Sequence, residues 1–253
     1  MAITGLEMIK RDDDGIRLTG LEHIRQIDET DLPPVSSFAV ELLHLVTNAG
    51  ELDHELKLLG AERHRYQFAP VISLSKVRDF EQRHHIQLPP AYVEFLTQVG
   101  NGGAGPDYGL YSLEELEFQN FYVHSGRIVP YAAVREEADY DTIHYHREHT
   151  PVVLDSNLTE ERWNSLCGEL DALRYREEEE AYLQKRSNLY NGTLKIVDSF
   201  DHIGWLLICS GDKSGEVAEL SEDLTMPHFR GQRFEDWLLS YFKGVVQHFS
   251  HST

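Results

Sequence analysis

Cysteine is scarce in this chain of 253 residues: Cys167 and Cys209 are the two thiols. So few exclude a disulfide framework and make a reducing cytoplasm the expected setting. Cys209 stands in the apolar run "GWLLICS", the usual place of an inert core thiol without the electropositive surroundings of a reactive one. Long apolar runs are also missing, and no stretch approaches the roughly 20 residues that span a bilayer. The segment "MAITGLEMIKRDDDG" lacks the basic-then-apolar order of a secretory signal. Bases are the third shortage. Against 43 acids stand 23 Lys and Arg, for a net charge of −20. Phosphate binding needs clustered cations, so this field excludes nucleic acid and anionic membranes as partners and favours basic ones. The same charge also serves plain solubility.

Signatures of catalysis are equally sparse. There is no G-x-S-x-G turn to present an acyl-transfer serine, and no GK[ST] follows a glycine loop to hold a triphosphate. The stretch "VGNGGAGPDYGL", residues 99–110, does place Gly100, Gly102 and Gly105 in the order G-x-G-x-x-G. A dinucleotide fingerprint needs a strand before the glycines and a helix N-terminus after them, where aligned amides bind pyrophosphate. Here a helical pattern precedes, and Pro106, Asp107 and Tyr108 follow. The loop is therefore read as a helix end, with Gly100 in a left-handed cap, leading into a tight crossing of backbones. The run "DDDG" would need acids at the first and last positions of a calcium loop. Lys10 and Leu21 stand there, so calcium is rejected. His144, His146 and His149 do not share one helical face, although a metal-binding enzyme using them is the second alternative. Glu114 and Glu115, or Glu136 and Glu137, are neighbours whose side chains point apart and make no acid–base pair. No catalytic residue, cofactor or metal site is expected.

What is present reads as helices, then short strands, then a helix, the order of an α+β fold with a mixed or antiparallel sheet. Residues 1–60 read as a partly helical N-terminal extension, with Phe38, Leu42, Leu45 and Val46 on one face of one or two helices. A helix follows from Ser75 as N-cap. "LPPAYVEFLTQVG" puts Pro90 in a first turn and Tyr92, Phe95, Leu96 and Val99 in one stripe. "GRIVPY", "PVVLDS", "TLKIVD", "WLLICS" and "EVAEL" read as strands. The last two flank "GDKSG" as a hairpin, with "EVAEL" as an edge. Residues 155–190 form an acidic helical insert whose Leu166, Leu170 and Leu173 give a buried stripe. The closing helix carries Phe234, Trp237, Leu238, Tyr241, Phe242, Val245, Val246 and Phe249. Core packing is the expected role of Tyr92, Phe95, Trp205 and Trp237.

Three segments taken together carry a resemblance. Leu88-Pro89-x-x-Tyr92-x-x-Phe95-Leu96 leads into Asn101-Gly102-Gly103 and "AGPDYGL", with a helix around Glu81 before it. "WLLICSGDKSGEVAEL" and the Phe-x-x-Trp of "RFEDWLLSYF" complete the set. The chain resembles the SUKH superfamily, in particular its Smi/Knr-like branch, over about residues 60–243. The resemblance implies a SUKH-like α+β domain over residues 61–245, with the insert inside it and no catalytic residues. It further implies a bacterial immunity protein that binds and neutralises a polymorphic toxin, such as a nuclease, or else a regulator of the fungal cell-wall kind. A basic toxin domain fits the charge. The expected partner-binding residues flank the glycine loop and line the late hairpin: Asp107, Glu114, Glu117, Asp212, Glu216 and Glu219, with Tyr108 and Tyr111 as aromatic anchors.

Overall fold

The structure is a computed structural model. It describes residues 9–12, 15–18, 35–124, 127–130, 154–176, 178, 181–182, 185, 188–199, 204–220 and 226–251, with residues 9–12, 15–18, 118–124 and 127–130 given by backbone alone. The chain divides into two compact units, Met1–Ser37 and Phe38–Thr253. In the first, β1 (Ile9–Asp12) and β2 (Gly15–Leu18) form an antiparallel hairpin with Asp12 opposite Gly15.

The second unit opens with α1 (Ser37–Leu52), a single helix whose Ala39, Leu42, Val46 and Ala49 are buried at the spacing of one helical face. Phe38 and Leu45 flank that face, partly buried. The expected extension 1–60 therefore divides: the hairpin belongs to one unit, and α1 puts its apolar stripe into the core of the other. A short turn, α2 (Ala61–His64), follows. Next comes α3 (Leu74–His84), capped by Ser73 rather than Ser75. At Ser73 the backbone is extended, and its Oγ accepts the Lys76 N–H at 3.4 Å; Ser75 already lies within the helix.

Pro90 starts α4 (Pro90–Glu94), as its missing N–H allows. The helix then widens into a π turn, Phe95–Val99. The Gly100 N–H donates to the Phe95 carbonyl at 2.9 Å, five residues back. This corrects the left-handed cap: Gly100 has φ 177°, an extended backbone open to any residue. Glycine is required there for space, since a Cβ would lie 2.4 Å from that of Phe68 and 2.8 Å from the Ala69 carbonyl oxygen.

Beyond the glycine loop stand α5 (Leu113–Asn120) and an antiparallel hairpin of β3 (Phe121–His124) and β4 (Arg127–Pro130). The main sheet is four-stranded and antiparallel, in the order β5 (Thr193–Asp198), β6 (Gly204–Ile208), β7 (Glu216–Leu220), β8 (His228–Arg233). β6 and β7 are the expected hairpin, but β7 lies inside the sheet. The outer strand β8, "HFRGQR", is largely exposed, and its polar sequence gives no strand pattern. Of "PVVLDS", residues 154–156 are not strand, and 151–153 lie outside the described residues.

Both sheet faces are covered, which explains the unbroken apolar run in β6. Leu207 belongs to the main core, while Leu206 and Ile208 face a second one. A register shift between Lys195 and Val197 lets Ile196 and Val197 both enter the main core. The insert supplies α6 (Glu160–Tyr175), whose buried residues are Trp163 and Leu170, with Leu166 and Leu173 partly buried beside them. The closing helix α7 (Phe234–Ser250) seals the main core. Its Phe234 meets the rings of Tyr92 at 4.9 Å and Phe95 at 5.6 Å. Full burial of such a ring contributes about 2–3 kcal/mol.

Candidate functional site

The glycine loop is part of the sheet. Past β5 the pairing continues through single bridges: Val197 to Leu110, Leu110 to Gly103, and Gly103 to Phe68. Gly103 and Leu110 exchange both hydrogen bonds, at 2.9 and 2.8 Å. The amides of Asn101 and Ala104 donate to Ala69 and Gln67, and that of Gly109 to Pro106. The amides of Asn101, Gly103, Ala104, Gly109 and Leu110 are thus committed to the chain's own carbonyls, as in a strand crossing rather than at a helix N-terminus that grips a phosphate. Gly103 has φ 111°, and a Cβ there would lie 2.4 Å from the Gln67 carbonyl oxygen.

Side chains tie the loop to its neighbours. Asn101 is buried; its Oδ1 accepts the Leu113 N–H at 2.8 Å and its Nδ2 donates to Glu114 at 2.9 Å. That bond holds the Glu114 carboxyl below its usual range. Ser112 and Glu115 close a reciprocal cap on α5, at 2.8 and 3.1 Å. The cap was legible as Ser-x-x-Glu at residues 112–115.

Most of the expected contact residues prove to have work inside the chain. Tyr111 is no exposed anchor: it is 4% exposed, donates its hydroxyl to Asp198, and lies in the core. Burial first, and then that bond, raises its pKa. Glu117 pairs with Arg83 and lies 3.3 Å from the His84 ring. Asp212, on the hairpin turn, accepts from the Ser156 hydroxyl and, at 3.1 Å, from its amide, which lowers its pKa. Glu216 is 3.3 Å from Lys213, and Glu219 is 2.5 Å from Arg230. Asp107 and Tyr108 are half-buried, with Asp107 at φ 48°. The loop acids and the hairpin acids rest on different elements: Glu114 and Glu117 on α5, Asp212 on the turn before β7, and Glu216 and Glu219 on β7.

A buried polar group under α1 had no sequence signal. Asp53, 2% exposed, accepts the Lys57 and Leu58 amides at 2.7 and 3.0 Å and the Tyr66 hydroxyl at 2.7 Å. Burial pushes its carboxyl up, but these donors outweigh it and the pKa is lowered. Beside it His64 accepts the Tyr66 N–H at 3.1 Å on Nδ1. Burial, helped by the Arg63 charge, lowers its pKa to about 4. Both groups fix the α1–α2 connection.

Sequence reasoning also missed a cleft of about 650 Å³ where the insert meets the main sheet. Leu158, Trp163, Met226, Pro227 and Phe229 provide its apolar lining; Asp155, Ser156, Glu160, Asn164, Lys213 and His228 provide its polar rim. Trp163 was legible as the residue three before Leu166 in the insert's stripe, but its neighbours arrive from far along the chain. Among the described residues, no group of three His, Cys, Asp or Glu is placed to hold a metal. His144, His146 and His149 lie outside the described residues. Among the described residues, no helix is long and apolar enough to cross a membrane.

Compared with family models, residues 72–240 match the SMI1 / KNR4 family (SUKH-1), a span from α3 into α7 that covers more than half the chain. Comparisons with curated proteins and with solved structures give no match.

Proposed function

The chain belongs to the SMI1 / KNR4 family (SUKH-1), and on that premise we propose that it is a non-enzymatic immunity protein that binds and neutralises a basic toxin domain in the cytoplasm. The family covers toxin-immunity and cell-wall-regulator roles. The observation that favours the first is the charge of −20, which suits a cationic partner such as a nuclease. Carboxylates can then occupy the surface that the partner reserves for phosphates. Charge of this size raises association rates above the roughly 10⁵–10⁶ M⁻¹s⁻¹ of uncharged docking.

The glycine loop supports the reading from the side of chemistry. Its geometry serves to join β5 to the segments around Gly103 and Phe68, a scaffold role. Asp107 and Tyr108 beside it, and Glu114, Glu117, Asp212, Glu216 and Glu219, remain the proposed contacts, with their present partners released or shared on binding.

The test is recovery of the partner from the native host with the tagged full-length chain, followed by calorimetry. A one-to-one complex that abolishes the partner's toxic activity, and weakens at least about tenfold between roughly 50 and 300 mM NaCl by the logic of charge screening, is the expected result. A cell-envelope enzyme as partner would replace immunity by the regulatory reading. An affinity indifferent to salt would remove the electrostatic part.

A further inference from the structure

The cleft between α6 and the β6–β7–β8 part of the sheet has one charge left over. On its rim Asp155 lies 3.3 Å from Arg162, and Lys213 lies 3.3 Å from Glu216 and over the Phe229 ring at 4.7 Å. Glu160 is exposed in the first turn of α6, and no cation among the described residues pairs with it. The apolar lining that a partner could reach is Leu158, Met226 and Phe229, all partly buried, over the fully buried Trp163. An apolar lining beside an exposed carboxylate that has no ion-pair partner suits a side chain with a long stem and a cationic head. Among such heads guanidinium is the more weakly hydrated, and its flat face rests on rings.

We propose that this cleft receives an arginine side chain of the protein partner, its stem on Leu158, Met226 and Phe229 and its guanidinium on the Glu160 carboxylate. The assignment rests on the protein-binding reading above and adds its contact point. It moves the centre of recognition from the glycine loop to the insert. Lys213 stays balanced by Glu216, 3.3 Å away, a pair that is shared rather than released when the partner binds. His228, an exposed residue of the same lining, offers a further ring surface.

The probe is N-acetyl-arginine N-methylamide, titrated into the full-length chain and followed by the Leu158 and Met226 methyl signals in NMR spectra. Both signals should move and saturate in the millimolar range. The citrulline analogue, alike in shape but uncharged, should bind about fivefold more weakly, the scale of one half-exposed ion pair. Glu160→Gln should erase that difference, and the exposed position spares the fold. Equal binding of arginine and citrulline, signals that stay still, or an undiminished preference in Glu160→Gln overturns the assignment. A captured partner that binds Glu160→Gln as tightly as the parent chain also overturns it while leaving the protein-binding reading intact. Arginine preference at Leu158 and Met226 without any protein partner upholds the cleft and removes that reading.

Discussion

Two glycines show how differently one requirement can be enforced. Gly231 in β8 has φ 65° and nothing within 4 Å of the point a Cβ would occupy; Gly103 has φ 111° and a carbonyl oxygen 2.4 Å from that point. Gly231→Ala should cost about 1 kcal/mol, the strain of a left-handed backbone alone. Gly103→Ala adds a clash with backbone that no side-chain rotation relieves, and should cost about 3 kcal/mol. For a chain of this size that is a fall of about 6–12 °C in Tm, measurable by calorimetry. Equal losses at both positions would show that the Gly103 crossing is looser than its distances state. His64 gives a pH prediction. Its folded pKa lies near 4 and its ordinary value is 6.5, so the unfolded chain takes up the proton first. Stability from this group is therefore complete above about pH 6.5 and declines as pH falls toward about 4. Urea titrations across that range should show a shallower decline in His64→Asn than in the parent chain. At this scale the sequence reveals residue type and spacing, but not partnership. Tyr111 meets Asp198 across 87 positions and Ser156 meets Asp212 across 56, so neither the buried tyrosine nor the occupied carboxylates could be read from local pattern.

Among the elements, those with strong periodicity were legible and those shaped by neighbours were not. The stripe of α7 and the apolar β5, β6 and β7 follow from burial on one face or two. β8 escaped because an outer strand with mostly exposed residues needs no apolar alternation, and missing it made β7 look like an edge. The π turn after α4 escaped because its apolar stripe equally suits an ordinary helix. The insert tests the two-sided sheet. Trp163→Ala should remove the main anchor of α6 and cost about 3–5 kcal/mol, with earlier proteolytic cutting in the insert. Tyr175 on the same helix is 90% exposed, and Tyr175→Ser should stay within about 0.5 kcal/mol. A Trp163→Ala chain that unfolds at the parent urea concentration would separate α6 from the stability of the sheet.

For the whole molecule the net charge of −20 acts against compactness as well as for recognition, because like charges repel across the folded surface. Raising NaCl from roughly 20 to 300 mM should therefore raise Tm, even though it weakens exposed pairs such as Arg83–Glu117 and Lys243–Glu41. A Tm that falls instead would mean that such pairs outweigh the general repulsion. The family and the α+β class were legible because the "LPxxY…FL…NGG" order and the closing Phe-x-x-Trp helix sit on buried, sterically demanding positions. The cleft was not, since Glu160 and Phe229 are brought together only by the completed fold.

The row of bridges from Phe68 through Gly103 and Leu110 to Val197 also sets a timetable for synthesis. Leu110 and Tyr111 find their backbone partners in β5, nearly ninety residues further along. While the ribosome is still making the insert, the amino-terminal helices are complete and their glycine segment is paired on its Phe68 side alone. A nascent chain halted before residue 193 leaves that side of the helical layer bare, and final closure waits for β5 to emerge.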